Sequence, residues 1–173
     1  MYLYYDHQER VMPILTPAMK RLLDEQRLGF VATVCPDGTP NLSPKGTTTA
    51  WDDDHLVFAD IHSPGTIANL RHNPHVEVNV VDPFARKGYR FKGTAVVLTE
   101  GAQYDAIVTF YRQRGSRAVI HAIVLIEINT AAPLISPAYD DGTPEADIRK
   151  HWERHYAELH YDWGTSLGSA SEA

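Results

Sequence analysis

The chain holds a single cysteine, Cys35, in 173 residues. A lone thiol closes no intrachain disulfide and forms no CxxC metal or redox pair. No stretch approaches the roughly 18 to 20 apolar residues of a membrane-spanning helix. Lysine and arginine never cluster into a block, and the formal net charge is -6, so no basic stripe offers itself to a nucleic-acid backbone. The first residues, MYLYYDHQER, lack the basic-then-apolar pattern of a secretory signal. GxGxxG, GxxxxGK[ST] and GxSxG are also missing, which leaves those modes of nucleotide binding and serine-hydrolase chemistry without local support. These absences point to a cytoplasmic protein that engages neither membrane nor nucleic acid.

What is present suits one globular domain with a substantial core, at 43% hydrophobic residues. LTPAMKRLLDEQRLG reads as a helix capped by Thr16, opened by Pro17 and ended by Gly29. Asp37-Gly38 lies between two extended runs and predicts a hairpin. HLVFAD reads as a third strand. SPGTIANLRHNP changes period to a short helix, with Ser63 as cap and Asn73-Pro74 as stop. HVEVNVV alternates as a half-buried strand, and YRFKGTAVVL follows it through the loop DPFARKG. AQYDAIVTFYRQRG is a helix stopped by Gly115, and AVIHAIVLIEI is a long apolar strand suited to a central position. Six strands joined mostly by tight turns, with helices as plugs, predict a mainly β fold with peripheral helices, a six-stranded split β-barrel over residues 1–140. Residues 141–173 add a helix, with Thr143 and Pro144 at its start, and a tail packed on the same domain.

The stretch NLSPKGTTTAW sets Lys45 beside a proline, a glycine and three threonines. It fits a surface hairpin with solvated hydroxyls, or a cradle of backbone and hydroxyl groups for an anion with Lys45 as its charge. A helix start at Ser63-Pro64-Gly65-Thr66 offers unpaired N–H groups and the positive end of a dipole, and Arg90 lies in a cationic strand. Other candidates carry less. His151 and His155 are four apart, with His160 beyond, yet no Glu stands in the HExxH position and no metal site follows. Cys35 lacks a nucleophile's flanking signature, and Asp52 to Asp54 read as a solvated turn.

The segments GFVATVCPDGTPNLSPKG, LVFADIHSPGTIANLRHNPHVEVNVV and YRFKGTAVVL resemble, in that order, the pyridoxamine 5'-phosphate oxidase-like flavin-binding split barrels. The resemblance spans about Met19 to Ile128. It implies a homodimer holding two FMN molecules at the subunit interface, with deazaflavin or haem as alternatives. It sets Lys45 and Thr47 on the strand lining the flavin, Phe58, Ala59 and Asp60 along the ring edge through their backbone, Ser63 and Thr66 at the phosphate, and Arg90 approaching from its strand. With Gly46, Thr48 and Asn69 these are the candidate cofactor-binding residues. Thr66 stands where many relatives carry a phosphate-binding Lys, and Gly88 near a ring-contacting Gln of the vitamin-processing enzymes. The implied activity is hydride transfer at the flavin N5 on a small-molecule substrate, with a non-catalytic flavin- or haem-binding module as the rival. In the tail, Trp152 and Tyr156 share a helix face, and Tyr161 and Trp163 follow. These rings suit either docking on the barrel or covering a partner's flavin.

Overall fold

The computed structural model describes residues 13–168, with side chains described as far as residue 159. The helix α1, Pro17–Gln26, begins as its sequence dictates: the Thr16 hydroxyl accepts from the Met19 amide at 3.3 Å, and Pro17 occupies the first turn. Its end differs from expectation. Arg27, in the left-handed region at φ 51°, closes the helix by donating its N–H to Leu23. Gly29 instead opens β1, Gly29–Val34, where a Cβ would come within 2.5 Å of the Thr48 hydroxyl oxygen. Glycine is there to let two segments meet.

Asp37-Gly38 turns β1 into β2, Pro40–Lys45, with Gly38 at φ 83°. The two-residue β3, Thr49–Ala50, precedes β4, His55–Asp60. Then come α2, Pro64–His72; β5, His75–Asp82; β6, Lys87–Leu98; α3, Ala102–Gln113; β7, Ala122–Ile135; and α4, Glu145–Gly168. The strands number seven rather than six, because the threonine run yields its own short strand. The last strand begins four residues later than the apolar run AVIHAIVLIEI and continues to Ile135, past the point where sequence pattern ends it. The Thr143 hydroxyl donates to Asp141 Oδ1, and the Pro144 carbonyl accepts the first bonds of α4.

All pairings are antiparallel, in the order β2-β1-β5-β6-β7-β4-β3. The two edge strands, β2 and β3, are consecutive in the chain and joined only by residues 46–48. Four Cα steps reach about 14 Å at most, so the sheet must curl until its edges nearly meet. The result is a split barrel closed by the Gly46–Thr48 turn, with a seam beside that turn where β2 faces the start of α2. A register shift at Lys92/Gly93 supplies part of the bend. Inside lie Val31, Leu56, Phe58, Val78, Val80, Phe91, Val124 and Ile126, and α1 plugs the barrel with Leu15, Met19 and Leu23. A second cluster packs α3 on the outside through Ile107 and Tyr111 against Val57, Ile123 and Leu125.

The described part of α4 docks on its own chain. Ile148 is buried, Arg149 pairs with Asp82 at 2.8 Å, the Arg86 guanidinium lies 4.1 Å from the Trp152 ring centre, and Tyr156 meets Phe84 edge-on at 5.5 Å. His151 and His155 are exposed and flank Trp152. The side chains of His160, Tyr161 and Trp163 lie outside the described residues, as does the N-terminal stretch MYLYYDHQER.

Candidate functional site

The polar residues at the seam follow from period two. In β2, Pro40, Leu42 and Pro44 face outward, while Asn41, Ser43 and Lys45 alternate with them and face α2. From α2 and its start, Ser63, Thr66 and Asn69 recur every three residues, so one helix face meets one strand face. Lys45 is 4% exposed, and its Nζ donates to Ser43 Oγ at 2.5 Å and to Ser63 Oγ at 2.8 Å. The Phe58 ring centre is 5.9 Å from that nitrogen. Among the described residues no carboxylate forms an ion pair with Lys45. Burial therefore pushes its ammonium below the ordinary lysine value, with the charge of Asp60 pulling the other way.

Ser63 joins the parts. It makes no side-chain cap bond to α2. Its N–H donates to Asp60 Oδ1 at 2.8 Å and its oxygen accepts from Lys45, which leaves its hydroxyl hydrogen free to donate outward. Lys45 likewise has a third N–H beyond the two serines. A cleft of about 400 Å³ opens beside Ser63, bounded also by Asp60, His62, Arg71 and His121; Lys45 reaches its edge only through Ser63 and is not among its walls. Asn69 is buried and donates to Thr33 Oγ1 at 3.1 Å and to Cys35 Sγ at 3.5 Å, and Asn41 donates to the same threonine.

Of the residues singled out from sequence, Lys45, Asp60, Ser63, Thr66 and Asn69 are brought to this seam. The threonine run is used differently. Thr47 Oγ1 accepts from the Ala59 N–H at 2.9 Å and donates to the Ala59 carbonyl at 3.2 Å, so the Ala59 backbone is paired within the chain. Thr48 is buried and donates to the Lys45 carbonyl, and Gly46 faces open space. Phe58 has its side chain in the core. Arg90 stands apart on the outer face, opposite Asn79 and paired with Glu77 at 2.9 Å. Sequence reasoning missed Ser43 and Asn41, whose signal was the alternation with Pro40, Leu42 and Pro44. It also missed Arg71, His62 and His121, which only the fold brings together.

What this arrangement can do is receive an anion. A buried ammonium hydrogen-bonded to two hydroxyls lies beside a helix start, and one strongly basic side chain, Arg71, lines the adjoining cleft.

The family model for Pyridoxamine 5'-phosphate oxidase matches residues 15–133. Among solved structures, HupZ of Group A Streptococcus is 36% identical with a TM-score of 0.64, covering 70% of this chain and 94% of that one. An FMN-binding protein from Syntrophomonas wolfei shares the fold at 18% identity and TM-score 0.58, over 66% and 82% of the two chains. HutZ, the heme storage protein from Vibrio cholerae, does so at 18% and 0.57, over 70% and 94%. No curated protein matches the chain.

Proposed function

We propose, from the premise that the chain belongs to the pyridoxamine 5'-phosphate oxidase family, that it binds FMN at the seam between β2 and α2 and acts as a flavin-dependent oxidoreductase. One observation carries this reading: the Lys45 ammonium is buried, makes no direct ion pair among the described residues and has a donor to spare. A phosphate would supply the missing charge, and the residues present fit one. Lys45, the Ser63 hydroxyl and the amides at the start of α2 would hold it, with Arg71 supplying the charge that Thr66 does not. When bound, the flavin supplies hydride transfer at N5. The chain's own part is to bind, orient and shield. Thr47 fixes the β4 edge through Ala59, and Asp60 fixes Ser63. A deazaflavin would present the same phosphate and differ in its spectrum.

The absorption spectrum of the purified protein, followed by FMN titration and NAD(P)H bleaching with turnover, tests the reading. Flavin bands and saturable binding support it; binding without turnover supports a carrier. A second reading, a haem-binding module, is favoured by His62 and His121 flanking the cleft beside Arg71, and by likeness to a heme storage protein. A Soret band in place of flavin bands would establish it.

The working unit in this reading is a homodimer in the cytoplasm. The outward face of the edge hairpin is apolar, with Phe30 42% and Leu42 66% exposed beside Val34, Pro40 and Pro44. A second copy would cover it. Light scattering at micromolar concentration should give twice the 19.4 kDa chain mass, and a single-chain mass would overturn the dimer.

A further inference from the structure

The helix α1 has two working faces. Met19 and Leu23 plug the barrel, while Ala18, Arg21, Leu22 and Glu25, three and four residues apart, line a cavity of about 310 Å³ beside it. The opposite wall is built from the ends of β6 and β7, where Tyr89 stands across from Pro133 and Lys87 across from Ile135. The first turns of α4 close the cavity with Glu145 and Arg149. Its size lies at the small end of ligand pockets, which run from about 300 to 1,000 Å³. It shares no residue with the cleft beside Ser63.

Leu22, Tyr89 and Pro133 give the cavity an apolar lining, and its charged groups fall into two sets. Asp82, Arg149, Glu145 and Lys87 form one chain with contacts of 2.8, 2.9 and 3.0 Å, and the Lys87 ammonium lies 4.0 Å from the Tyr139 ring centre. Two anions and two cations there satisfy one another. Arg21 and Glu25 are held far more loosely. They stand 3.9 Å apart, at the limit of an ion pair, with side chains 75% and 56% exposed. An exposed pair of this kind contributes little stability, so a ligand can part it at small cost. A simple anion entering here would meet Glu25, and a simple cation would meet Arg21. Only a group carrying both charges satisfies both.

We propose that this cavity binds a free α-amino acid with an apolar side chain. Arg21 takes the carboxylate, Glu25 takes the ammonium, and Leu22, Tyr89 and Pro133 receive the side chain. The site is separate from Lys45 and does not depend on the cofactor's identity.

The test follows backbone amide shifts of Leu22, Tyr89 and Ile135 in the full chain at neutral pH and constant ionic strength. The probes are phenylalanine, phenylpropionate, which lacks the ammonium, and phenylethylamine, which lacks the carboxylate. Saturable shifts with phenylalanine are expected, and each truncated probe should bind roughly tenfold more weakly. Arg21→Gln should weaken phenylalanine roughly tenfold while leaving phenylethylamine unchanged. Glu25→Gln should weaken phenylalanine to a similar degree while leaving phenylpropionate unchanged. A merely structural role for either residue would not produce that crossed pattern, and both side chains are exposed enough to be replaced without disturbing the core. No saturation in the wild type, equal binding of the three probes, or full phenylalanine binding in Arg21→Gln would overturn the proposal.

Discussion

Among single residues Lys45 matters most, because no carboxylate among the described residues touches it and Asp60 acts on it only from a distance. The ammonium trades bulk water for two serine hydroxyls and the face of Phe58, partners that stabilise a cation without cancelling its charge. Lys45→Met, which keeps the buried stem, should weaken FMN binding by about 1.5–3 kcal/mol, the worth of a hydrogen bond to a charged group. A titration with less than a twofold change would remove Lys45 from the site. Thr47 makes a different kind of contribution. Replacing it by Val strips the Ala59 N–H and carbonyl of their partner, at about 1–3 kcal/mol in urea unfolding, whereas Thr47→Ser should restore most of that. Lys45 and Ser63 could be read from the sequence because charge and helix-start chemistry are local. That Thr47 would turn its hydroxyl to β4 could not, since residues twelve apart meet only after the barrel closes.

Among the elements, α1, the Asp37-Gly38 hairpin, α2 and β5 were legible because caps, turns and alternation act within a few residues. The two-residue β3 was not: it pairs with β4 across Thr49 and Val57, and nothing local announces that. The start of β7 also differs from expectation, because residues 118–120 are as apolar as a strand but lie beyond the end of β4 at Asp60, whose carbonyl takes its last bond from His121. The helix α4 gives the clearest energetic prediction. Burial raises the Asp82 carboxyl, but the amides of Ala85 and Phe84 and the Arg149 guanidinium outweigh it and hold the group below its ordinary value. A carboxyl lowered on folding stabilises the protein above its unfolded value and loses that contribution as pH falls through the folded one. Arg149→Gln should therefore lower the melting temperature at neutral pH, and its difference from wild type should shrink below about pH 4. Deleting the chain after Asp140 removes the buried Ile148 and takes Trp152 and Tyr156 away from the β5–β6 turn. The truncated protein should melt earlier while its folded fraction binds FMN as before. Normal stability with weakened flavin binding would instead make the helix a cover for a neighbouring site.

At the scale of the whole molecule, the strand order governs when the protein can exist at all. β7 pairs β6 along one edge and β4 along the other, so it stitches the two halves of the sheet. Its first residue is Ala122, which leaves more than two thirds of the chain already made before it appears. During synthesis on the ribosome, β4 therefore waits with one edge unpaired and three of its apolar side chains, Leu56, Val57 and Phe58, uncovered. Strand pairing at such separation is slow. A nascent chain stalled before Ala122 should recruit chaperones and resist neither protease nor aggregation, and a fragment ending at Ile120 should be insoluble when expressed alone. Adding the segment 121–135 in trans should recover soluble protein, because what the fragment lacks is one strand rather than a core.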